Sequence, residues 1–228
     1  MSTILGYMRT RTLLCLAVIL AVCYLGLVVP CIAADEEEEK PILSEGTYSD
    51  DFSDPGSGWE IKEHIAVDRS YQEGEFEVKF KKTDWRVSTY APVKIKAAEY
   101  SIEMNARFLK GAKGFVGLLF NDKGNDGCIF ATVPEDQYYS FWKFLGGQTY
   151  IMKNWTKSSY INRAKKDNHL KAVLKGNKAY LYANGHLLFS CDCENSIDEY
   201  EVGFYVSGDN SWPSVVRVDN FKVVIGGE

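Results

Sequence analysis

The sequence predicts an all-β fold, a two-sheet antiparallel β-sandwich or jelly roll, and three observations carry that prediction. Beyond the first forty or so residues the apolar residues recur with period two. Turn residues punctuate the chain at short intervals, and no amphipathic stretch of three helical turns follows the leader. Alternation at period two marks strands with one buried and one wetted face. Many short antiparallel strands in one domain pack as two facing sheets.

Glu75-Phe76-Glu77-Val78-Lys79-Phe80 alternates polar and apolar residues. Tyr100, Ile102, Met104, Ala106 and Phe108 share one strand face, and Ser101, Glu103, Asn105 and Arg107 share the other. Leu170, Ala172 and Leu174 repeat the pattern, as do Val202, Phe204 and Val206. Between these runs lie Lys110-Gly111, Lys123-Gly124-Asn125-Asp126-Gly127, Gly146-Gly147, Gly176-Asn177 and Asn184-Gly185. Asn184-Gly185 is the strongest hairpin signal, because a type I′ turn needs positive φ at both central residues. At this length each sheet is expected to hold six or seven strands.

The N-terminal segment is set aside from fold reasoning. Arg9 and Arg11 form a basic region, Leu13 to Val29 is an unbroken apolar run, and Cys31-Ile32-Ala33-Ala34 offers small residues for cleavage. As a helix the run extends only about 25 Å, short of the ~30 Å hydrocarbon core. Residues 1–34 therefore read as a signal peptide or an N-terminal anchor, and the product as exported: secreted, periplasmic or attached to the cell surface. Residues 35–46, opening on the acidic run Asp35 to Glu39, read as a spacer. Residues 47–228 form the β-sandwich domain, and contact with a membrane is expected only through the N-terminal segment.

The formal net charge of −5 includes Arg9 and Arg11, so the processed chain is more acidic still. That balance excludes nucleic acid as the main partner, since a phosphate backbone requires a basic face. Without the leader, three of the six cysteines remain: Cys128, Cys191 and Cys193. In an exported chain these are disulfide candidates, Cys128 with Cys191 or Cys193, leaving one thiol over. Cys191-x-Cys193 is also half of a metal-site spacing, but no second pair accompanies it. The histidines, His64, His169 and His186, are scattered and form no catalytic or metal-ligand pattern.

The Asp50-Asp51-Phe52 opening with Trp59, the central Tyr138-Tyr139-Ser140-Phe141, the Lys178–Leu188 hairpin and the closing Val218-Asp219-Asn220-Phe221-Lys222-Val223 carry a resemblance. The chain resembles the concanavalin A-like lectin/glucanase superfamily, and more narrowly bacterial laminin-G-like jelly-roll domains. The resemblance spans about residues 47–225, and the two chain ends read as outer strands closing one sandwich. It implies a carbohydrate ligand or a carbohydrate-active hydrolase. The retaining glucanases of that superfamily set two glutamates and an aspartate at alternate positions of one strand. Here that motif is missing: Glu103-x-Asn105-x-Arg107 puts an amide and a cation where carboxylates are needed. The resemblance also implies a possible structural calcium, with Asp219 in the matching segment, although one aspartate is far from a calcium site.

Candidate ligand-binding residues are aromatics beside polar or turn residues: Trp85, Tyr139, Trp142, Trp155 and, beyond these, Tyr160 and Trp212. In Tyr138 to Lys143 both strand faces carry aromatics, more than a half-buried strand needs. A ring stacked on the apolar face of a sugar, flanked by hydrogen-bonding groups, makes a physically sensible glycan site. Glu103, Asn105 and Arg107 are the candidate polar contacts. The sequence thus reads as an exported, monomeric, non-catalytic module binding a glycan or surface-protein ligand. The alternatives are a hydrolase of the same fold, with Glu103 and Glu135 or Asp136 converging, or an envelope interaction module. Asn154-Trp155-Thr156 is in addition a glycosylation sequon.

Overall fold

The computed structural model describes residues 39–111, 113–163, 165–193, 196–208 and 213–226. Residues 1–38, where the sequence leads one to expect a leader and most of the acidic run, lie outside the described residues, as does Trp212. Fifteen strands and no helix make up the described chain. They are β1 (Ile42–Leu43), β2 (Gly46–Asp50), β3 (Val67–Gln72), β4 (Glu75–Phe80), β5 (Arg86–Lys96), β6 (Tyr100–Lys110), β7 (Phe115–Asp122) and β8 (Gly127–Val133). After them come β9 (Tyr138–Leu145), β10 (Gln148–Lys157), β11 (Asn168–Lys175), β12 (Lys178–Ala183), β13 (His186–Asp192), β14 (Glu199–Ser207) and β15 (Ser214–Ile225).

One sheet has seven strands in the order β1-β5-β14-β7-β8-β9-β10. The other has eight: β13-β12-β11-β6-β15-β4-β3, with β2 also paired to β15. Every pairing is antiparallel except β1 with β5. The eighth strand exceeds the expected six or seven for a simple reason. Residues Ser214–Val218 of the long β15 pair with β4, and Phe221–Ile225 of the same strand pair with β2. β15 is consequently an interior strand of its sheet, a correction to its reading as an outer strand. β1 also lies inside the stretch expected to be spacer, where it takes up the edge of β5.

The alternating runs place their apolar residues between the sheets. Ile102, Met104, Phe108, Leu170, Leu174, Val202, Phe204 and Val206 are buried in one core with Phe76, Val78 and Phe80. Hairpin chemistry follows the sequence: Asn184 and Gly185 sit at φ 51° and 80°, joining β12 to β13 through the two-residue turn that matches strand twist. Asn220 is left-handed too (φ 51°), and β15 shifts register against β6 between Asp219 and Lys222. This bulge resets the alternation, so Val218 and Phe221 both point inward although three residues apart.

The two end motifs meet in the core. The Trp59 ring lies 5.2 Å from Phe52, 4.9 Å from Phe221 and 5.4 Å from Phe204, centroid to centroid, and Trp59 is only 3% exposed. Its indole Nε1 donates to Asp50 Oδ2 at 2.8 Å, while the Phe52 amide donates to Asp50 Oδ1 at 2.7 Å. One buried carboxylate thus satisfies both the plug and the chain turning around it. Asp50→Ala leaves two buried donors without a partner and is expected to cost about 2 kcal/mol in urea denaturation. A loss below ~0.5 kcal/mol would show the carboxylate to be dispensable.

Candidate functional site

The two outer faces of the sandwich differ in chemistry. On the seven-stranded sheet the outward residues of β7 and β8 are apolar: Phe115, Leu119, Ile129 and Ala131 form a second buried cluster, separate from the core. Partly exposed rings stand over it, namely Tyr90, Trp142, Phe144 and Tyr205. Trp155 of edge strand β10 joins them, 5.5 Å from Trp142 and nearly perpendicular to it (87°), and is itself 41% exposed. Phe115 anchors the group, 5.3 Å from Trp142, 5.5 Å from Tyr205 and 6.3 Å from Trp155. The Arg86 guanidinium lies 6.0 Å over the Phe115 ring. Such contacts between rings and a cation suit a partly desolvated surface.

Beside this shelf the sheet face is recessed. Gly203 of β14 pairs with Tyr90 and Leu119, so no side chain stands between them. A Cβ at Gly203 would lie 2.0 Å from the Thr89 carbonyl oxygen, and one at Gly117 2.2 Å from that of Phe130. A cavity of about 200 Å³ opens next to the glycine, lined by Ser88, Tyr90, Leu119, Asp122, Asp126 and Tyr205 among others. The Tyr90 hydroxyl donates to Asp122 Oδ2 at 2.8 Å, and Asp122 Oδ1 accepts from the Gly124 amide. Burial, the bond to Asp122 and the charge of Glu201 push the Tyr90 phenol up to about 12, so it stays a neutral donor. The recess supplies donors and acceptors at the margin of an aromatic floor.

The eight-stranded sheet presents a lattice of charge instead. Arg107 makes two 2.6 Å bonds to Glu75 and a third, at 2.9 Å, to Asp167. Arg217, nearly buried, donates to Glu77 at 2.7 Å, to Glu75 at 3.2 Å and to the Gln72 carbonyl at 2.9 Å. The hydrogen bonds to Glu75 raise the Arg107 pKa above its ordinary value, against the opposing effect of burial. Glu103 lies 3.0 Å from Lys171 and 3.5 Å from His169. A polar cleft of about 520 Å³ runs along this face past Asp51, Glu103, Asn105, His169, Asn220 and Lys222.

The candidate residues therefore divide among four places. Trp142 and Trp155 come together on the aromatic shelf. Glu103 and Asn105 line the polar cleft of the opposite sheet, and Arg107, on the same face, is held by Glu75 and Asp167. Trp85 stands apart from both, before β5, with its ring 5.3 Å from His64. Tyr139 is corrected outright: it points inward, is 5% exposed, and its hydroxyl donates to the Leu188 carbonyl at 2.8 Å. Alternation puts Tyr139 and Trp142 on opposite faces, and only the packing of the sheets decides which is inside. Glu103 and the turn residues Glu135 and Asp136 belong to different sheets, so the suggested carboxylate pairing has no common face. Tyr160 stacks on His186 at 3.9 Å.

Asp219 does not have the surroundings of a calcium ligand. Its two carboxylate oxygens accept from the backbone amide and the side-chain amide of Asn220, each at 2.7 Å. Burial, with Glu75, Asp51 and Asp167 nearby, raises its pKa, and among the described residues no three acidic, histidine or cysteine side chains converge as a metal site. Calcium wants six to eight oxygens, and the carboxylates of the described residues do not gather around Asp219 to supply them.

Phe115, Tyr205, Tyr90 and Phe144 complete the shelf together with Arg86, and the sequence alone points to none of these four rings. Their signal was nevertheless present. Phe115 to Phe120 and Cys128 to Val133 are near-continuous apolar runs, which a strand with one wetted face does not need.

No protein-family model matches the sequence, and no curated protein matches it. Solved structures do. A β-glucanase from Bacillus licheniformis superposes with a TM-score of 0.62 at 10% identity, over 80% of this chain and 100% of that one. A glycosidic hydrolase gives 0.63 at 9%, over 81% and 98%. The catalytic domain of an endo-1,3-β-glucanase (laminarinase) from Thermotoga petrophila gives 0.57 at 11%, over 78% and 96%. At such identities the likeness speaks for the fold, and it agrees with the strand order above: the chain has the concanavalin A-like jelly-roll fold.

Proposed function

We propose that this protein is an exported, non-catalytic module that binds carbohydrate on the outer face of its seven-stranded sheet. The observation that carries the reading is the aromatic shelf, in which Trp142 and Trp155 stand partly exposed over an apolar floor. The flat apolar face of a pyranose ring stacks on such indoles, while Arg86, Ser88, Tyr90 and Asp122 lie within the same face to bond hydroxyls. The solved structures of the same fold are named as β-glucanase, glycosidic hydrolase and laminarinase, which supports a sugar polymer as the ligand class.

The non-catalytic part of the proposal rests on the state of the carboxylates. Asp122 is engaged by Tyr90 and the Gly124 amide, and Glu201 accepts from Lys40 at 2.7 Å. The outward positions of β7 are Phe115, Gly117 and Leu119, so that strand carries no row of acids.

A glycan array tests the reading. The full chain is expected to bind at least one class of β-linked polymer, with or without calcium, and to release no reducing ends from it. A blank array from folded protein would defeat the binding proposal. Reducing ends released in proportion to enzyme would leave the sugar and overturn the non-catalytic half.

A further inference from the structure

The three described cysteines gather at one end of the sandwich. Cys128 of β8 points into the core, and its thiol is hydrogen-bonded with that of Cys193, which follows β13 and is also buried. β8 lies inside the seven-stranded sheet and β13 at the edge of the eight-stranded one, so this pair spans the two layers. The Cys193 amide donates to the Asn177 carbonyl at 2.8 Å, fixing the chain where it leaves β13. Cys191, two residues earlier, is partly exposed. Lys143 of β9 lies opposite Cys128 in register, and its charge reaches both Cys128 and Cys191. A cavity of about 470 Å³ opens onto the pair and is lined by Cys128, Cys193, Lys143, Phe144, Asp126 and Tyr200 among others.

We propose that Cys128 and Cys193 close as a disulfide that staples the two sheets, and that Cys191 remains the unbridged thiol. Of the two pairings open at the sequence level, only this one joins side chains already in contact through their sulfurs. The cavity gives a small disulfide access to them. In exchange with oxidised glutathione, one cysteine thiolate attacks a glutathione sulfur and expels one glutathione thiolate. The second cysteine thiolate then attacks the mixed disulfide and expels the other. One S–S bond forms, two thiol protons are released to the expelled thiolates, and the two electrons reside in two reduced glutathiones. The hydrogen bond to Cys193 and burial hold the Cys128 thiol well above its ordinary pKa. Burial and the neighbouring Cys193 and Asp192 push Cys191 up to about 11. Both keep thiolate scarce, so exchange in the folded protein is slow and favours closure during folding.

The test uses the full chain, reduced, incubated with oxidised glutathione, alkylated and mapped by peptide mass spectrometry, which reports the leader cysteines separately. The expected product links the Cys128 peptide to the peptide holding Cys191 and Cys193. That link persists in Cys191→Ser and disappears in Cys193→Ser. Fragmentation between Cys191 and Cys193 in the unmutated chain assigns the bond if the variant does not fold. The oxidised form is expected to melt about 10 °C above the reduced one, from closing a loop of this length in a chain of this size. Three alkylated cysteines after oxidation, a Cys128–Cys191 bond or a Cys191–Cys193 bond would each overturn the proposal.

Discussion

Glu75→Ala is expected to lose about 3 kcal/mol of stability, at the lower end of the cost of breaking a buried ion pair. Glu75 is the shared partner of two arginines, both oxygens engaged by Arg107 and one also by Arg217. Removing it leaves Arg107 with Asp167, and Arg217, whose side chain is only 8% exposed, with Glu77, the Gln72 carbonyl and Glu73 at 3.5 Å. Glu75→Gln keeps acceptor capacity and is expected to lose only about 1 kcal/mol, the worth of a neutral bond. Urea denaturation of both variants in low and high salt measures the difference. Equal, small losses would mean that the lattice is a set of exposed pairs with little net effect. This network also bears on function: it consumes Arg107, which sequence alone offers as a ligand contact, in holding β4, β6 and β15 together.

The second large effect concerns binding. Trp142→Ala and Trp155→Ala are each expected to weaken glycan affinity at least ~30-fold, the usual consequence of truncating a central aromatic anchor by about 2 kcal/mol. Their stability costs should differ. Trp155 sits on an edge strand and is substantially exposed, so its replacement should leave the denaturation midpoint nearly unchanged. Trp142 packs on Phe115 within the second apolar cluster, and its loss should lower stability as well. Tyr139→Phe, by contrast, should leave binding unaltered, because its hydroxyl serves the Leu188 carbonyl inside the core. Isothermal titration with the best polymer from the array separates the three. If Tyr139→Phe lost binding and Trp155→Ala did not, the wrong face would have been assigned.

Much of the architecture is legible in the residues because it is local. The face of β6, the inward rows of β4, β11 and β14, and the Asn184-Gly185 turn follow from alternation and from positive φ. What the sequence leaves open depends on partners far along the chain. Alternation says that Glu103, Asn105 and Arg107 share a face, but it is silent on which sheet that face covers. It separates Tyr139 from Trp142 without saying which is buried. Two-residue β1 carries no periodic signal at all, and the bulge at Asn220 defeats simple counting along β15. The polar candidates and the shelf tryptophans Trp142 and Trp155 thus read as one site from sequence but fall on opposite sheets. The near-continuous apolar runs of β7 and β8 hold the missing clue, since a strand buried on both faces demands a cover on each.

The shelf itself is the central claim, and indole chemical-shift mapping tests it most directly. The full chain, labelled with nitrogen-15, would be titrated with hexaoses of β-1,3-glucan, β-1,4-glucan, β-1,4-xylan and chitin, and the Trp Nε1–H signals assigned by single substitutions. The account predicts that Trp142 and Trp155 shift together on adding one of these sugars while Trp59, bonded to Asp50 in the core, stays in place. Shifts confined to Glu103, Asn105 and His169 along the polar cleft, with both shelf indoles unmoved, would contradict it.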